Sequence, residues 1–115
     1  MARKSVTEMS FRDIFPALVN KAQRKGRTKE EVLKVTAWLT GYTEDQIRSF
    51  EESDLSYGDF FSGAPAYHPN SERITGKICG IQVETIEDPL MKRIRQLDKL
   101  VDELAKGKEM EKILR

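Results

Sequence analysis

The chain has 115 residues, of which 38% are hydrophobic and 34% are charged, and its 20 basic and 19 acidic residues leave a formal charge of +1. This length predicts a single domain over 1–115, and the near balance of charge argues against a protein built mainly to hold a polyanion. One cysteine permits no intrachain disulfide, which fits a cytoplasmic location, and no apolar run approaches the roughly 18 residues of a membrane span.

Residues 1–9 have no apolar period and are predicted to form a flexible arm. The first helix follows, with one apolar face made of Phe11, Ile14, Phe15, Leu18, Val19 and Ala22. Pro16 is tolerated only in the first turn of a helix, so Asp13 is the predicted N-cap. Gly26 is the predicted stop.

Two capping boxes mark the next helices. Thr28 and Glu31 take the N-cap and N3 positions of the first box, and Thr43 and Gln46 take those of the second. Trp38 lies on the apolar stripe of the first of these helices and is expected to be largely buried. Residues 54–61 are predicted to add one more short turn.

The stretch 73–85 fits both a strand and a helix. Ile81, Val83 and Thr85 alternate as in a strand, and the isoleucines of the stretch also recur with a helical period. Gly76 and Gly80 disfavour a helix. We therefore expect a short extended segment or a β-hairpin near 73–85.

Asp88 and Pro89 are typical of a helix start. A long helix should follow, with an apolar seam made of Leu90, Ile94, Leu97, Val101 and Leu104. This 90–104 helix either packs on the first two helices or forms a homo-oligomer. Together these elements predict a mainly α fold of four to five helices, possibly with one hairpin near 73–85.

Three segments resemble a known family: KAQRKGRTKEEV, WLTGY and ITGKICGIQVETIEDPLMKRIRQLDKLVDELAKGKEMEKILR. The resemblance runs from about Met9 to Arg115 and is to DUF2200, an uncharacterised bacterial family. It implies a bacterial origin and a small single domain. Because the family has no established activity, it implies no catalytic residues.

A basic turn over 21–29 is the first candidate site. Its cations Lys21, Arg24, Lys25 and Arg27 could bind nucleic acid. Residues 28–52 have the spacing of a degenerate helix-turn-helix, but its second helix opens on acidic residues that would repel phosphates. The alternative is a solvated helix end whose charges are complemented by acids of the fold.

The glycines at 76 and 80 suggest a second candidate. Glycines can turn backbone N–H groups outward into an anion-binding concavity, and Arg73 and Lys77 would add positive charge beside Gly76 and Gly80. The alternative is that the glycines only permit a tight turn.

Catalysis has little support in the sequence. His68 and Cys79 are single examples of their type, so a usual zinc site cannot be built, and neither metal nor cofactor is expected. The favoured interpretation is a non-enzymatic cytoplasmic binding or interaction module that possibly self-associates. Nucleic-acid binding comes second, and a small enzyme or anion and ligand binder around 67–80 comes third.

Overall fold

The computed structural model describes residues 6–78 and 80–115, and most of them are helical. The α-helices are α1 (Phe11–Gln23), α2 (Lys29–Thr40), α3 (Glu44–Phe50), α4 (Tyr57–Ser62), α5 (Pro89–Ala105) and α6 (Met110–Ile113). Strands β1 (Lys77–Ile78) and β2 (Ile81–Gln82) form an antiparallel hairpin in which Ile78 pairs with Ile81. Short 3-10 turns span Val6–Glu8, Pro69–Arg73 and Val83–Thr85. The predictions of a mainly α fold and of a hairpin near 73–85 are confirmed.

Helix α1 begins three residues before the predicted position. Its N-cap is Ser10 and not Asp13, so Pro16 lies inside the helix. Phe11 explains the difference, because its ring is fully buried and its N–H donates to the carbonyl of Leu55 at 2.8 Å. These tertiary contacts fix the first turn and outweigh the hydrogen bond that proline cannot donate.

The core lies where α1 and α2 pack on α5. Aromatic rings from α1, α3 and α4 cluster in it around Phe60, whose centroid is 4.5 Å from that of Phe11 and 4.9 Å from that of Tyr42. The α5 seam faces the same core, since Ile94 and Leu97 are essentially inaccessible to solvent. Most of the seam is therefore used within the chain, and self-association through the 90–104 helix stays a prediction.

Helix α2 has the predicted capping box, and its Thr36 and Thr40 are buried with satisfied hydroxyl groups. The two hydroxyls donate to the carbonyls of Val32 and Thr36 at 2.8 and 2.7 Å. Gly41 ends the helix at φ +84°, and a Cβ there would lie 2.7 Å from atoms of Ala66. Glycine is thus required at position 41 by both its backbone angle and the loop that crosses it.

The loop 62–72 crosses the C-terminal end of α2. The His68 N–H donates to the carbonyl of Leu39 at 2.9 Å, and the Ala66 N–H donates to that of Thr40 at 3.2 Å. The ring of His68 stacks on Trp38 with centroids 4.1 Å apart. Trp38 is only partly buried, contrary to the prediction, because it packs at the edge of the core and its ring is covered by the His68 ring of this loop.

Helix α5 begins as predicted. Asp88 is its N-cap, and one carboxylate oxygen accepts from the N–H groups of Leu90 and Met91 at 2.9 and 3.3 Å. Pro89 takes the first helical position, where its missing N–H costs little. Across residues 6–78 and 80–115, none of the helices has the length and apolar character needed to cross a bilayer.

Candidate functional site

A small cavity of about 220 Å³ lies between the loop 67–72 and the first two turns of α5. The loop contributes Tyr67, Ser71 and Glu72, and the helix contributes Pro89, Lys92, Arg93 and Gln96. The four helix residues share one face because they follow a spacing of three, one and three. We call this cavity the α5 cleft.

The floor of the α5 cleft is a polar network that ties the loop to the helix. The Tyr67 hydroxyl donates a short hydrogen bond to the side-chain carbonyl oxygen of Gln96. The Gln96 amide in turn donates to the Ser71 carbonyl at 3.2 Å, and Gln96 is only 1% exposed. Buried polar groups that are satisfied in this way hold a fixed geometry.

Ser71 completes the floor of the cleft. The residue is 5% exposed and lines the cavity, and its carbonyl accepts the hydrogen bond from Gln96. A serine hydroxyl can both donate and accept a hydrogen bond. Ser71 therefore adds a small polar group to the lining of the cleft.

Arg93 forms one wall. Its guanidinium carbon lies 4.1 Å from the centroid of the Tyr67 ring, and one N–H donates to the Phe61 carbonyl at 2.8 Å. This stacking and single hydrogen bond hold the group in place but leave most of its N–H donors unused. Arg93 also lines a second, smaller depression of about 170 Å³ on its other side.

Lys92 and Glu72 form the rim. The Lys92 ammonium is 3.3 Å from a carboxylate oxygen of Glu72, with the lysine side chain 23% and the glutamate side chain 76% exposed. An ion pair with one partner so far in solvent contributes little to stability. The ion pair between Lys92 and Glu72 therefore closes the rim of the cleft only weakly.

Burial strongly raises the pKa of the Tyr67 phenol, while the positive charge of Arg93 opposes the rise and the negative charge of Glu72 adds to it. The Tyr67 hydroxyl consequently stays protonated throughout the physiological range. It serves as a hydrogen-bond donor and not as a general base.

The four residues of the predicted anion site lie around the hairpin. Arg73 and Lys77 are exposed, Gly80 is in the turn at φ +78°, and Gly76 precedes β1 at φ +107°. The N–H of Gly76 already donates to a carboxylate oxygen of Glu84 at 3.0 Å. The hypothesis of an external anion at these residues stays a prediction, and its central donor is engaged within the chain.

The hydrogen bonds to the Glu84 carboxylate also change its pKa. Hydrogen bonds from its own backbone N–H, from the N–H of Gly76 and from the side chain of Gln82 lower its pKa. The glycine turn thus does hold a carboxylate, as the sequence suggested, but the carboxylate belongs to this chain.

The basic turn is largely engaged as well. Lys21 pairs with Asp102 at 3.2 Å, and Arg27 pairs with Glu31 at 2.6 Å while also donating to the Lys108 carbonyl at 2.8 Å. Arg24 and Lys25 are exposed and make no ion pair within the described part of the chain. Nucleic-acid binding by the turn stays a prediction that now depends on these two side chains.

The helix-turn-helix candidate corresponds to α2 and α3. Helix α3 has seven residues, and its solvent side includes Asp45, Gln46, Arg48 and Ser49. Arg48 is already near Asp45, at 3.5 Å. The exposed surface of α3 is thus mixed in charge, as the acidic start of the helix indicated.

His68 and Cys79 have different outcomes. His68 is stacked on Trp38, and its Nδ1 accepts from the N–H of Asn70 at 3.0 Å. Cys79 lies outside the described residues. Within residues 6–78 and 80–115, no group of three or more histidine, cysteine or acidic side chains is arranged to hold a metal ion.

Sequence reasoning missed the α5 cleft itself. The sequence indicated only the apolar seam of this helix as a surface. The available signal was a second, polar stripe on the same helix, made of Lys92, Arg93 and Gln96. That stripe could not reveal its partner, because Tyr67 is 29 residues away along the chain.

One family model matches this chain. The model of DUF2200, uncharacterized proteins conserved in bacteria, matches residues 5–115. The chain is also similar to the uncharacterized protein SP1917, whose crystal structure gives a TM-score of 0.92 at 49% identity, covering 99% of this chain and 93% of that one. No curated protein matches. Since the family model spans nearly its whole length, this chain is a member of the DUF2200 family.

Proposed function

We propose that this protein is a non-enzymatic binding module and that the α5 cleft is where it takes a small molecule. The observation that carries the proposal is the ordered Tyr67–Gln96 network, which forms the floor of a cleft that Arg93 borders with its guanidinium stacked on Tyr67. A pocket with a few convergent polar groups is the usual form of a ligand site.

The size of the cleft limits the ligand. Its volume of about 220 Å³ is below the roughly 300 Å³ at which ordinary ligand pockets begin. A compact molecule or a single functional group of a larger one fits this space. A complete dinucleotide cofactor does not.

Fixed protonation in the cleft favours binding over catalysis. Tyr67 keeps its proton because burial raises its pKa. Arg93 carries a guanidinium, which stays charged in proteins. A general acid or base must exchange a proton near the working pH, and these two groups do not.

A fragment screen tests the proposal. Compounds of about a dozen heavy atoms or fewer, the number that such a volume admits, are added to labelled protein and followed by amide ¹H–¹⁵N correlation spectra. We expect shifts confined to residues 67–72 and 89–96 for at least one compound. Tyr67→Ala should abolish them, because it removes both the floor hydroxyl and the face on which Arg93 stacks.

The matched control is Arg24→Gln against Arg93→Gln. Both remove one arginine charge, but Arg24 is exposed and lies outside the cleft. Only Arg93→Gln should weaken binding. Fragments that bind elsewhere, or that bind the Tyr67→Ala variant unchanged, would refute the proposal.

A further inference from the structure

We infer that the α5 cleft selects a small oxyanion, a carboxylate or a phosphate group, and that Glu72 is a competing carboxylate of the chain which holds Lys92 until that group arrives. This inference rests on the proposed function and names its ligand class.

The hydrogen-bonding groups of the cleft are mostly donors. Arg93 has unused N–H groups, Lys92 adds an ammonium, and the hydroxyl of Ser71 can donate as well. Glu72 is the one charged acceptor among the lining residues. Lys92 also lies near enough to Glu84 for its charge to lower the pKa of that carboxyl. The surplus positive charge of the cleft therefore belongs mainly to Arg93, and an oxyanion would use it whereas a neutral ligand would not.

The attraction comes from side chains and not from the start of the helix. The N–H groups of Leu90 and Met91 have no acceptor within the helix, and both donate to the carboxylate of Asp88. An anion in the cleft therefore depends on Arg93 and Lys92. Two oxygens of a carboxylate or of a phosphate group match the two parallel N–H donors of an arginine side chain.

Glu72 can compete with an incoming anion for Lys92, because its side chain is not held in one position. Its carboxylate is 3.3 Å from the Lys92 ammonium, while its side chain is 76% exposed. The backbone beneath it is held, because Ser71 N–H donates to the His68 carbonyl at 3.0 Å and Gln96 donates to the Ser71 carbonyl. The side chain can therefore turn into solvent while the loop stays in place, which makes its displacement cheap.

The experiment is a titration with sodium phosphate and, separately, with sodium succinate, at constant ionic strength set by sodium chloride. Binding is followed by the amide shifts of residues 67–72 and 89–96. We expect saturable binding of at least one anion. Phosphate alone would assign the cleft to phosphate groups, and succinate alone would assign it to carboxylates, either of which supports the inference.

Variants then separate the roles. Glu72→Gln should tighten the anion by about twofold to fivefold, the range that an exposed ion pair spans. Arg93→Gln should weaken it by about tenfold or more, as expected for a charge-assisted hydrogen bond. The control is Glu52→Gln, which removes the same charge from an exposed residue outside the cleft and should change nothing.

The outcomes distinguish this inference from the proposed function. If neutral fragments bind in the cleft and neither anion does, the inference is wrong and the proposed function stands. If neither fragments nor anions bind there, both fail. If Glu52→Gln tightens the anion as much as Glu72→Gln does, only overall charge matters, and Glu72 is not a competitor.

Discussion

The two ends of helix α5 carry charged residues that are used in opposite ways. At the C-terminal end, Asp102 pairs with Lys21 and Lys106 at 3.2 and 3.0 Å, and the buried Glu103 pairs with Arg115 at 2.7 Å. At the N-terminal end, Lys92 and Arg93 border a cavity and keep donors free. At the first, closed end the charges are paired within the fold, and at the second, open end donors of Lys92 and Arg93 face the α5 cleft.

This contrast shows that a high density of charge in a sequence is not the same as available charge. The basic turn 21–29 is the densest cationic run, yet Arg27 donates to the carbonyls of Leu104, near the end of α5, and of Lys108, just after it. Arg27 borders a wide depression of about 600 Å³, but it does so while paired with Glu31. Lys92 and Arg93 are only two adjacent cations, and both border the α5 cleft. Availability depends on which opposite charges the fold brings near.

The largest expected effect is at the closed end. Glu103→Ala should lower the free energy of unfolding by about 3–5 kcal/mol, because it leaves the guanidinium of Arg115 unpaired in a largely buried position. Chemical denaturation with an unchanged slope measures this. Glu111→Ala removes an exposed carboxylate nearby and should change stability by less than about 0.5 kcal/mol. Equal losses of stability in Glu103→Ala and Glu111→Ala would contradict the contrast between the two ends of α5.

The next effect separates two arginines of the basic turn. Arg27→Ala should cost about 1–3 kcal/mol, since it leaves Glu31 and the Lys108 carbonyl without their donor. Arg24→Ala should be neutral within about 0.5 kcal/mol. Thermal unfolding of the two variants side by side measures the difference. A costly Arg24→Ala would mean that the turn is engaged throughout.

A smaller loss is expected at the open end. Tyr67→Phe removes only the hydroxyl that donates to Gln96 and should cost about 0.5–1.5 kcal/mol. The ring remains, so the stacking of Arg93 is kept. Denaturation midpoints of Tyr67→Phe and Glu103→Ala, measured together, sharpen the comparison. It fails if the tyrosine variant is the less stable of the two.

The smallest effect is a change in pH dependence. A hydrogen bond from Arg27 is the largest of the causes that lower the pKa of Glu31 below its ordinary value of 4.5. The folded state therefore binds this proton less readily than the unfolded state, so the stabilisation is fully present above pH 4.5 and is lost as the pH falls from there through the lower pKa of the folded state.

Glu31→Gln should accordingly flatten the acid limb of a plot of stability against pH, because glutamine keeps the capping box but carries no charge. Glu30→Gln is the matched control, since Glu30 is exposed and makes no ion pair in the described part of the chain. The slopes of the two plots should differ only below about pH 5, where carboxylates titrate. If the plots of the Glu31→Gln and Glu30→Gln variants were parallel, Arg27 would not be what lowers the pKa of Glu31.

Local signals in the sequence predicted the helices well, and contacts between distant residues explain the failures. Thr28 and Glu31 exchange both reciprocal bonds of a capping box, three residues apart, as expected. The start of α1 was wrong because Phe11 is fixed by Leu55, which no local pattern indicates. The α5 cleft has the same origin, since its floor joins Tyr67 to Gln96 across an intervening hairpin.

The stack of His68 on Trp38 gives the protein a built-in optical reporter. The chain has one tryptophan, so all of its indole emission comes from a single position. The ring that covers that indole belongs to the residue next to Tyr67, which forms part of the cleft wall. Any displacement of this loop must also change the surroundings of Trp38, so the intrinsic fluorescence of unlabelled protein reports whether the loop moves or stays in place.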